Sequence, residues 1–248
     1  MEQNEFEWPL INDNISESDK DALVEFIRTP GARFTQHENV RGFEREWSDW
    51  LGVKHTTYVN SGASANWIMA SILKEMVGEG EVIMSPFGWV SDVVPFLSLG
   101  LNPVFVDVDM HNMSSSTDAI LNAITDKTRA VLMVHILGFN GLTEKLLNVL
   151  DEKGIILIED CCESHGATFL DKKIGSFGEM SNFSFYFGHH MTTIEGGVVC
   201  TNDFDVHDLA RMFRSHGMTR EASEQTQERY KKKYPDLNPL FTFAVPGF

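Results

Sequence analysis

Two adjacent histidines, His189 and His190, follow the run Ser184-Phe185-Tyr186-Phe187-Gly188 at the end of a short apolar stretch. Neighbouring side chains of an extended chain point to opposite faces, so this pair is poorly arranged to close on one metal ion. Imidazole titrates at about 6.5 when unperturbed, which makes one of the two a candidate for moving a proton near neutrality. A hydrogen-bonded structural histidine meets the same description. Upstream, the apolar run from Ile155 ends in two carboxylates, Glu159 and Asp160. One of them belongs at the ligand-facing edge of a strand, where it could hold a cationic ring nitrogen and keep it protonated. Satisfaction by backbone amides or an arginine is the equal alternative. The segment Asn60-Ser61-Gly62-Ala63-Ser64 follows a strand and opens a helix. Its first-turn amides can bind phosphate and Gly62 permits close approach, although an ordinary Ser or Asn cap explains the same residues. Trp89 follows another strand and could stack on a planar ligand or fill the core.

These residues need a frame, and the apolar pattern supplies one. Strand-like runs at His55 to Val59, Val82 to Ser85, Val104 to Val108, Ala130 to His135 and Ile155 to Glu159 alternate with helical stretches. The helices are expected at Ala63 to Val77, Thr117 to Ile124 and Leu142 to Lys153. Nearly continuous Val, Ile and Leu strands in a β-α-β rhythm predict an α/β fold with a mostly parallel sheet covered on both faces. Ligands then belong at the carboxyl ends of the strands. Past Asp160 the rhythm changes to a turn-rich hairpin at Lys172 to Gly178, short strands at Phe183 to Phe187 and Gly197 to Thr201, and a helix near Val206 to Ser215. The polar stretch Thr219 to Tyr234 reads as a solvated loop or an exposed helix.

The totals limit the function classes. A chain of 248 residues, 42% of them hydrophobic, buries one large core. No basic flank precedes an apolar run near the start, and no stretch reaches about 18 apolar residues, so the expectation is a cytoplasmic protein with no membrane span. A net charge of −16 repels a phosphate backbone and argues against nucleic-acid binding. An anion pocket must therefore be built from backbone amides and helix ends. Cys161, Cys162 and Cys200 lack disulfide or zinc spacing and read as small buried residues; no metal site is expected.

Taken in order, the segments resemble the DegT/DnrJ/EryC1/StrS sugar aminotransferase family of fold-type I pyridoxal phosphate enzymes, from about Pro9 to Phe248. The resemblance is carried by Phe43-Glu44, the Ser61-Gly62 turn, Trp89, and the run Glu159-Asp160-Cys161-Cys162-Glu163-Ser164-His165-Gly166-Ala167. It implies the large domain of that fold, a mostly parallel mixed sheet with helices on both faces. Residues 1–248 would form this pyridoxal phosphate-binding domain, with an N-terminal arm over about 1–35 and a small C-terminal domain missing after Pro246-Gly247-Phe248. It further implies that Asp160 pairs with the pyridine nitrogen, that Gly62, Ala63 and Ser184 hold the phosphate, and that Trp89 stacks on the ring. Active sites in the family are shared across a homodimer.

Three departures shape the expected chemistry. His189 stands where the family's lysine holds the cofactor covalently, and an imidazole cannot make that stable link, so the cofactor must be gripped noncovalently. Glu163 stands where the transaminases commonly have glutamine, near the ring hydroxyl. Ala63 replaces a hydroxyl residue, leaving only its amide for the phosphate. The histidine is similar to the family's 3-dehydratase branch, which uses pyridoxamine phosphate to remove the 3-hydroxyl of a 4-keto-6-deoxy sugar nucleotide. His189 would be the base, and glutamate would reload the cofactor. One dehydratase type acts on a CDP-linked sugar and carries a cysteine-held iron–sulfur cluster. No cysteine lies between Arg214 and Phe248, so the cluster-free type acting on GDP-4-keto-6-deoxymannose is expected, in deoxysugar and surface-polysaccharide synthesis. His190 and His165 are expected to be supporting or structural. The rivals are an aminotransferase that leaves nitrogen on the sugar and a silent cofactor-binding protein.

Overall fold

The computed structural model describes Pro9 and residues 15–248; the first part of the expected N-terminal arm lies outside the described residues. One sheet holds seven strands in the order β1-β9-β8-β5-β4-β2-β3. These are β1 (His55–Val59), β2 (Glu81–Met84), β3 (Asn102–Phe105), β4 (Thr128–Val134), β5 (Ile156–Asp160), β8 (Met180–Ser184) and β9 (Gly197–Thr201). Only β9 opposes its neighbours, pairing antiparallel with both β1 and β8, while the remaining pairings are parallel. β6 (Thr168–Phe169) and β7 (Lys172–Lys173) form a separate antiparallel hairpin. The expected mostly parallel α/β sheet is thus present.

The eight α-helices are α1 (Glu17–Arg28), α2 (Glu38–Leu51), α3 (Gly62–Val77), α4 (Val94–Ser98), α5 (Thr117–Ala123), α6 (Glu144–Lys153), α7 (Phe204–Phe213) and α8 (Glu224–Lys233) among the described residues. α3 starts where the Ser61 side chain accepts the Ser64 amide and stops before Gly78, whose φ of 72° only glycine adopts readily. It lies against β8, β9 and α7, and its Ile68, Ile72 and Leu73 are almost wholly buried. Each such side chain contributes about 1.5–3 kcal/mol of burial free energy, so α3 is anchored along its length. α5 and α6 cover the opposite face around Ile120, Val131, Leu146 and Leu157. α2 closes a third cluster with Trp47, Leu51, Phe183 and Phe185. No helix among the described residues is long and apolar enough to cross a membrane.

Several expectations shift, among them the strand expected at Val104 to Val108, which runs Asn102–Phe105. The hairpin lies earlier than Lys172 to Gly178, because its turn falls on Leu170 and Asp171, both with positive φ (47° and 60°). The strand expected at Phe183 to Phe187 begins at Met180 and ends at Ser184, where the chain turns toward the histidines. Helix α2, absent from the sequence reading, buries Trp47, Ser48 and Leu51 while presenting charged residues outward. The polar stretch after Thr219 contains α8, of which only Thr226 is buried.

Candidate active site

Asp160 is the last residue of β5, at the carboxyl edge of the parallel strands, and is 5% exposed. Its Oδ2 accepts from Asn66 Nδ2 at 2.8 Å and from Asn182 Nδ2 at 3.1 Å, whereas the one nitrogen donor to its Oδ1 among the described residues is the Cys162 amide, at 3.0 Å. Oδ1 therefore keeps a lone pair free for one more donor. Alternation along the strand turns the preceding Glu159 to the other side. There Glu159 accepts from the amides of Gly175 (2.8 Å), Phe177 (2.9 Å) and Gly178 (2.6 Å) and lies 3.3 Å from His135 Nε2. Of the two carboxylates, Glu159 is saturated as scaffold and Asp160 faces the site. His135, Glu159 and Cys161 bring donor atoms close together. Burial pushes the Cys161 thiol well up, however, and the Glu159 oxygens are already committed to amides, so the cluster is packed as structure.

At the start of α3, Ser61 Oγ accepts the Ser64 amide at 3.0 Å and Ser61 O accepts the Ala65 amide at 3.0 Å. The Gly62 and Ala63 amides find no acceptor among the described residues. Ser184 lies directly beside them: a Cβ on Gly62 would stand 2.7 Å from Ser184 Cβ and 3.2 Å from its Oγ. Asn182 Nδ2 reaches the Gly62 carbonyl at 3.4 Å as well as Asp160, so one side chain ties the helix start to the buried carboxylate. Gly62, Ala63, Ser184 and Asp160 are thus brought together. Trp89 is 74% exposed, which removes core packing as its role, and its amide donates to Asp92 Oδ2 at 2.8 Å.

Glu163 is half-buried, and its Oε2 accepts the Leu137 amide at 3.0 Å, holding a turn in which Leu137 has a φ of 52°. His189 is half-buried in the turn closed by its amide bonding to Tyr186 O at 3.0 Å. Neither of its ring nitrogens is hydrogen-bonded to a described residue. Burial holds its pKa below the usual imidazole value, against the opposing charges of Glu163 and Asp160, while His190 adds to the depression. His165 packs edge-on against Trp47, Phe183 and Phe185. Its pKa is lowered to about 4, first by burial and then by His190 and His189, so it remains a neutral buttress. His190 is exposed, with its ring centroid 5.4 Å from that of His165. All three cysteines are free; Cys161 and Cys200 are buried and Cys162 is partly so.

The sequence reading missed Asn66, Asn182 and Asp92, which are 1%, 0% and 3% exposed and surround Asp160. Only Asn66 carried a signal, as a polar residue in the largely apolar run of α3; Asn182 stands among Ser181 and Ser184, and Asp92 beside the exposed Trp89 and Val90.

The profile of the DegT/DnrJ/EryC1/StrS aminotransferase family matches residues 13–239. A GDP-4-keto-6-deoxy-D-mannose 3-dehydratase of Yersinia pseudotuberculosis is 32% identical over 246 residues, covering 97% of this chain and 62% of that protein. Among solved structures, a GDP-4-keto-6-deoxymannose 3-dehydratase bearing asparagine for a histidine, with bound GDP-perosamine, superposes with a TM-score of 0.87 at 30% identity, covering 98% of this chain and 64% of that one. Another, with pyridoxal phosphate and glutamate trapped as a geminal diamine, gives 0.85 at 29% identity, with coverages of 98% and 64%. The chain therefore spans less than two thirds of the length of these relatives. With the family profile matching most of its length and the sheet order and site geometry both in place, the chain belongs to the DegT/DnrJ/EryC1/StrS aminotransferase family.

Proposed function

We propose that the intact protein removes the 3-hydroxyl of GDP-4-keto-6-deoxymannose, using pyridoxal/pyridoxamine phosphate as cofactor and glutamate to restore the aminated form. One observation carries this reading: a half-buried imidazole, His189, with free ring nitrogens and with Asp160 and Glu163 acting on its charge. The segment that bears it, Ser184 to Gly196, contains no lysine. The residues fit the cofactor. Asp160 Oδ1 has the acceptor capacity for a protonated ring nitrogen. The unpaired first-turn amides of Gly62 and Ala63, with the Ser184 hydroxyl beside them, suit a phosphate in a chain whose overall charge is strongly negative. Trp89 offers an exposed ring for stacking, and Glu163 would lie by the ring hydroxyl.

Bound pyridoxamine phosphate would supply an electron sink next to the sugar's ketone. His189, kept neutral by its burial, would be the base beside that group, accepting a proton there and returning one to the departing 3-hydroxyl so that it leaves as water. General base help of this kind is worth about 10²–10⁴ in rate. Asp160 would hold the ring proton and the α3 amides would fix the phosphate end, a noncovalent grip in place of a covalent tether.

The same reading makes residues 1–248 the cofactor-binding domain of a homodimer. Support comes from α1, which buries no residue within the chain and leaves Leu23, Val24 and Ile27 between 42% and 53% exposed. An apolar helix face of this kind is what a second copy would cover.

The test is incubation of the intact protein with pyridoxamine phosphate, glutamate and GDP-4-keto-6-deoxymannose, followed by product mass and ammonia assay. A 3-deoxy ketosugar with one equivalent of ammonia is expected. An amino sugar would replace this reading with a transaminase, and no turnover of glutamate would replace it with a silent binding protein.

A further inference from the structure

Beneath Asp160 lies a second carboxyl group that the proposed chemistry leaves unused. Asp92 is 3% exposed, in the short helical turn Val90–Asp92 that follows Trp89. Its Oδ2 accepts the Trp89 amide at 2.8 Å and its Oδ1 accepts from Asn66 Nδ2 at 3.1 Å. That same Asn66 nitrogen donates to Asp160 Oδ2 at 2.8 Å, so one amide clamps both carboxyl groups and holds them side by side, close enough to act on each other's charge. Asn182 completes the ring, donating to Asn66 Oδ1 at 3.0 Å and to Asp160 Oδ2 at 3.1 Å.

Two carboxylates in contact cannot both carry charge at low cost. Burial, followed by the charge of Asp160, pushes the Asp92 pKa up to about 9, so Asp92 keeps a proton at neutral pH. The groups facing the pair do not offset a second charge. Asn66 and Asn182 are neutral amides, the Cys162 thiol is held protonated by burial and by Asp160, and His189 is held neutral. No cationic side chain among the described residues forms an ion pair with either carboxyl group.

We propose that Asp92 is a positioning residue for the cofactor ring: as a neutral acid it donates to Asp160 Oδ2, limits the pair to one negative charge and leaves Oδ1 turned toward the pyridinium. The proposal rests on the cofactor reading given above. One carboxylate then balances one ring cation. An ionised Asp92 would add a second buried negative charge with no partner and would repel Asp160 from its bonded orientation. Asp92 touches no reacting atom: it acts through Asp160 and, by its bond to the Trp89 amide, holds the turn that carries the stacking ring.

Binding of pyridoxamine phosphate to the intact protein, followed by fluorescence between pH 6 and pH 10, tests this with Asp92→Asn and Asp92→Ala beside the wild type. Circular dichroism confirms that each variant is folded. Asparagine imitates the protonated acid in carrying no charge and keeping a donor for Asp160, while its single oxygen serves one of the two donors, Asn66 or the Trp89 amide. Asp92→Asn is expected to hold the neutral-pH affinity within about twofold, and Asp92→Ala to lose about tenfold or more, the worth of a hydrogen bond to a charged group. The affinity ratio of Asp92→Asn to wild type should rise as pH passes about 9, where only the wild type gains a charge. A flat ratio, or an Asp92→Ala variant that binds like the wild type, overturns the proposal while leaving the cofactor reading intact. Failure of the wild type itself to bind at any pH overturns the cofactor reading, and with it the role given to Asp92.

Discussion

At His189 two influences oppose each other on one imidazole. Removal from water favours the neutral ring, while the carboxylates of Glu163 and Asp160 favour the cation, and removal from water wins. The base is therefore ready at neutral pH and is lost only on acidification, so the acid limb of kcat/KM should lie below pH 6.5. Glu163→Gln removes one of the two groups that raise the His189 pKa, yet its amide oxygen can still accept the Leu137 amide. The limb is expected to move to lower pH in that variant with little change in the neutral plateau. His189→Asn should cut turnover by about 10²–10⁴ while cofactor affinity changes by only a few-fold. A pH–rate profile and a binding isotherm on the same preparations decide both, and an acid limb that stays in place in Glu163→Gln would detach Glu163 from the base. The sequence alone shows a histidine pair of which one could titrate usefully; that His189 is the one drawn out of solvent toward Glu163 and Asp160 depends on the turn closed between His189 and Tyr186.

Among the elements, α3 and β9 meet with no space to spare. A Cβ on Gly197 would lie 2.5 Å from the carbonyl carbon and oxygen of Ser61 and 2.7 Å from the Gly62 amide nitrogen, all of them backbone atoms that cannot rotate away. Gly197→Ala must push the first turn of α3 off the sheet, and overpacking of this kind costs about 1–3 kcal/mol. Because that turn carries the Gly62 and Ala63 amides, cofactor affinity should fall with stability. Gly42, within α2, is the control: its Cβ would meet only the end of the Arg45 side chain, at 4.0 Å, and Gly42→Ala should stabilise by about 0.5–1 kcal/mol. Urea unfolding of the two variants separates the effects, and equal midpoints would refute the tight contact. The legibility of elements follows similar physics. The buried strands and α3 announce themselves as apolar runs because both their surroundings are apolar. α2 was hidden because Phe43, Trp47 and Leu51, spaced by four, are diluted by six charged residues in Glu38–Leu51. The β6–β7 turn carries Leu170 and Asp171 at positive φ, where Asn-Gly would have been the readable signal. Asn66, Asn182 and Asp92 could not be grouped from sequence, since α3, β8 and the turn after Trp89 converge only in the folded sheet.

For the molecule as a whole, the buried titratable groups set opposing limits on stability. His165 and His207 have pKa values lowered from 6.5 to about 4, chiefly by burial. The native state holds them neutral, so their contribution is complete above pH 6.5 and is lost as pH falls toward 4. His189 and His55, lowered in the same direction, add to that acid limb. Asp92 works the other way. Its pKa rises from 3.8 to about 9 on folding, so the native state keeps a proton that the unfolded chain releases, and stability declines progressively as pH rises between those values. Below pH 6.5 the several histidines outweigh the opposing slope of Asp92 and the smaller one of Glu179, whose pKa is also raised by burial. Above pH 6.5 the histidine contribution is flat and Asp92 dominates, until near pH 9 the thiols of Cys161, Cys162 and Cys200, whose pKa values burial also raises, add to the decline. The thermal midpoint of the cofactor-free protein should therefore peak near pH 6.5 and decline toward both pH 4.5 and pH 9. Asp92→Asn should abolish most of the alkaline decline while leaving the acid limb unchanged, because an amide has no proton to lose. Calorimetry of the two proteins across this range tests the assignment: a wild-type midpoint that climbs from pH 6.5 to pH 9 would mean that Asp92 is ionised in the folded state and that the two carboxyl groups share no proton.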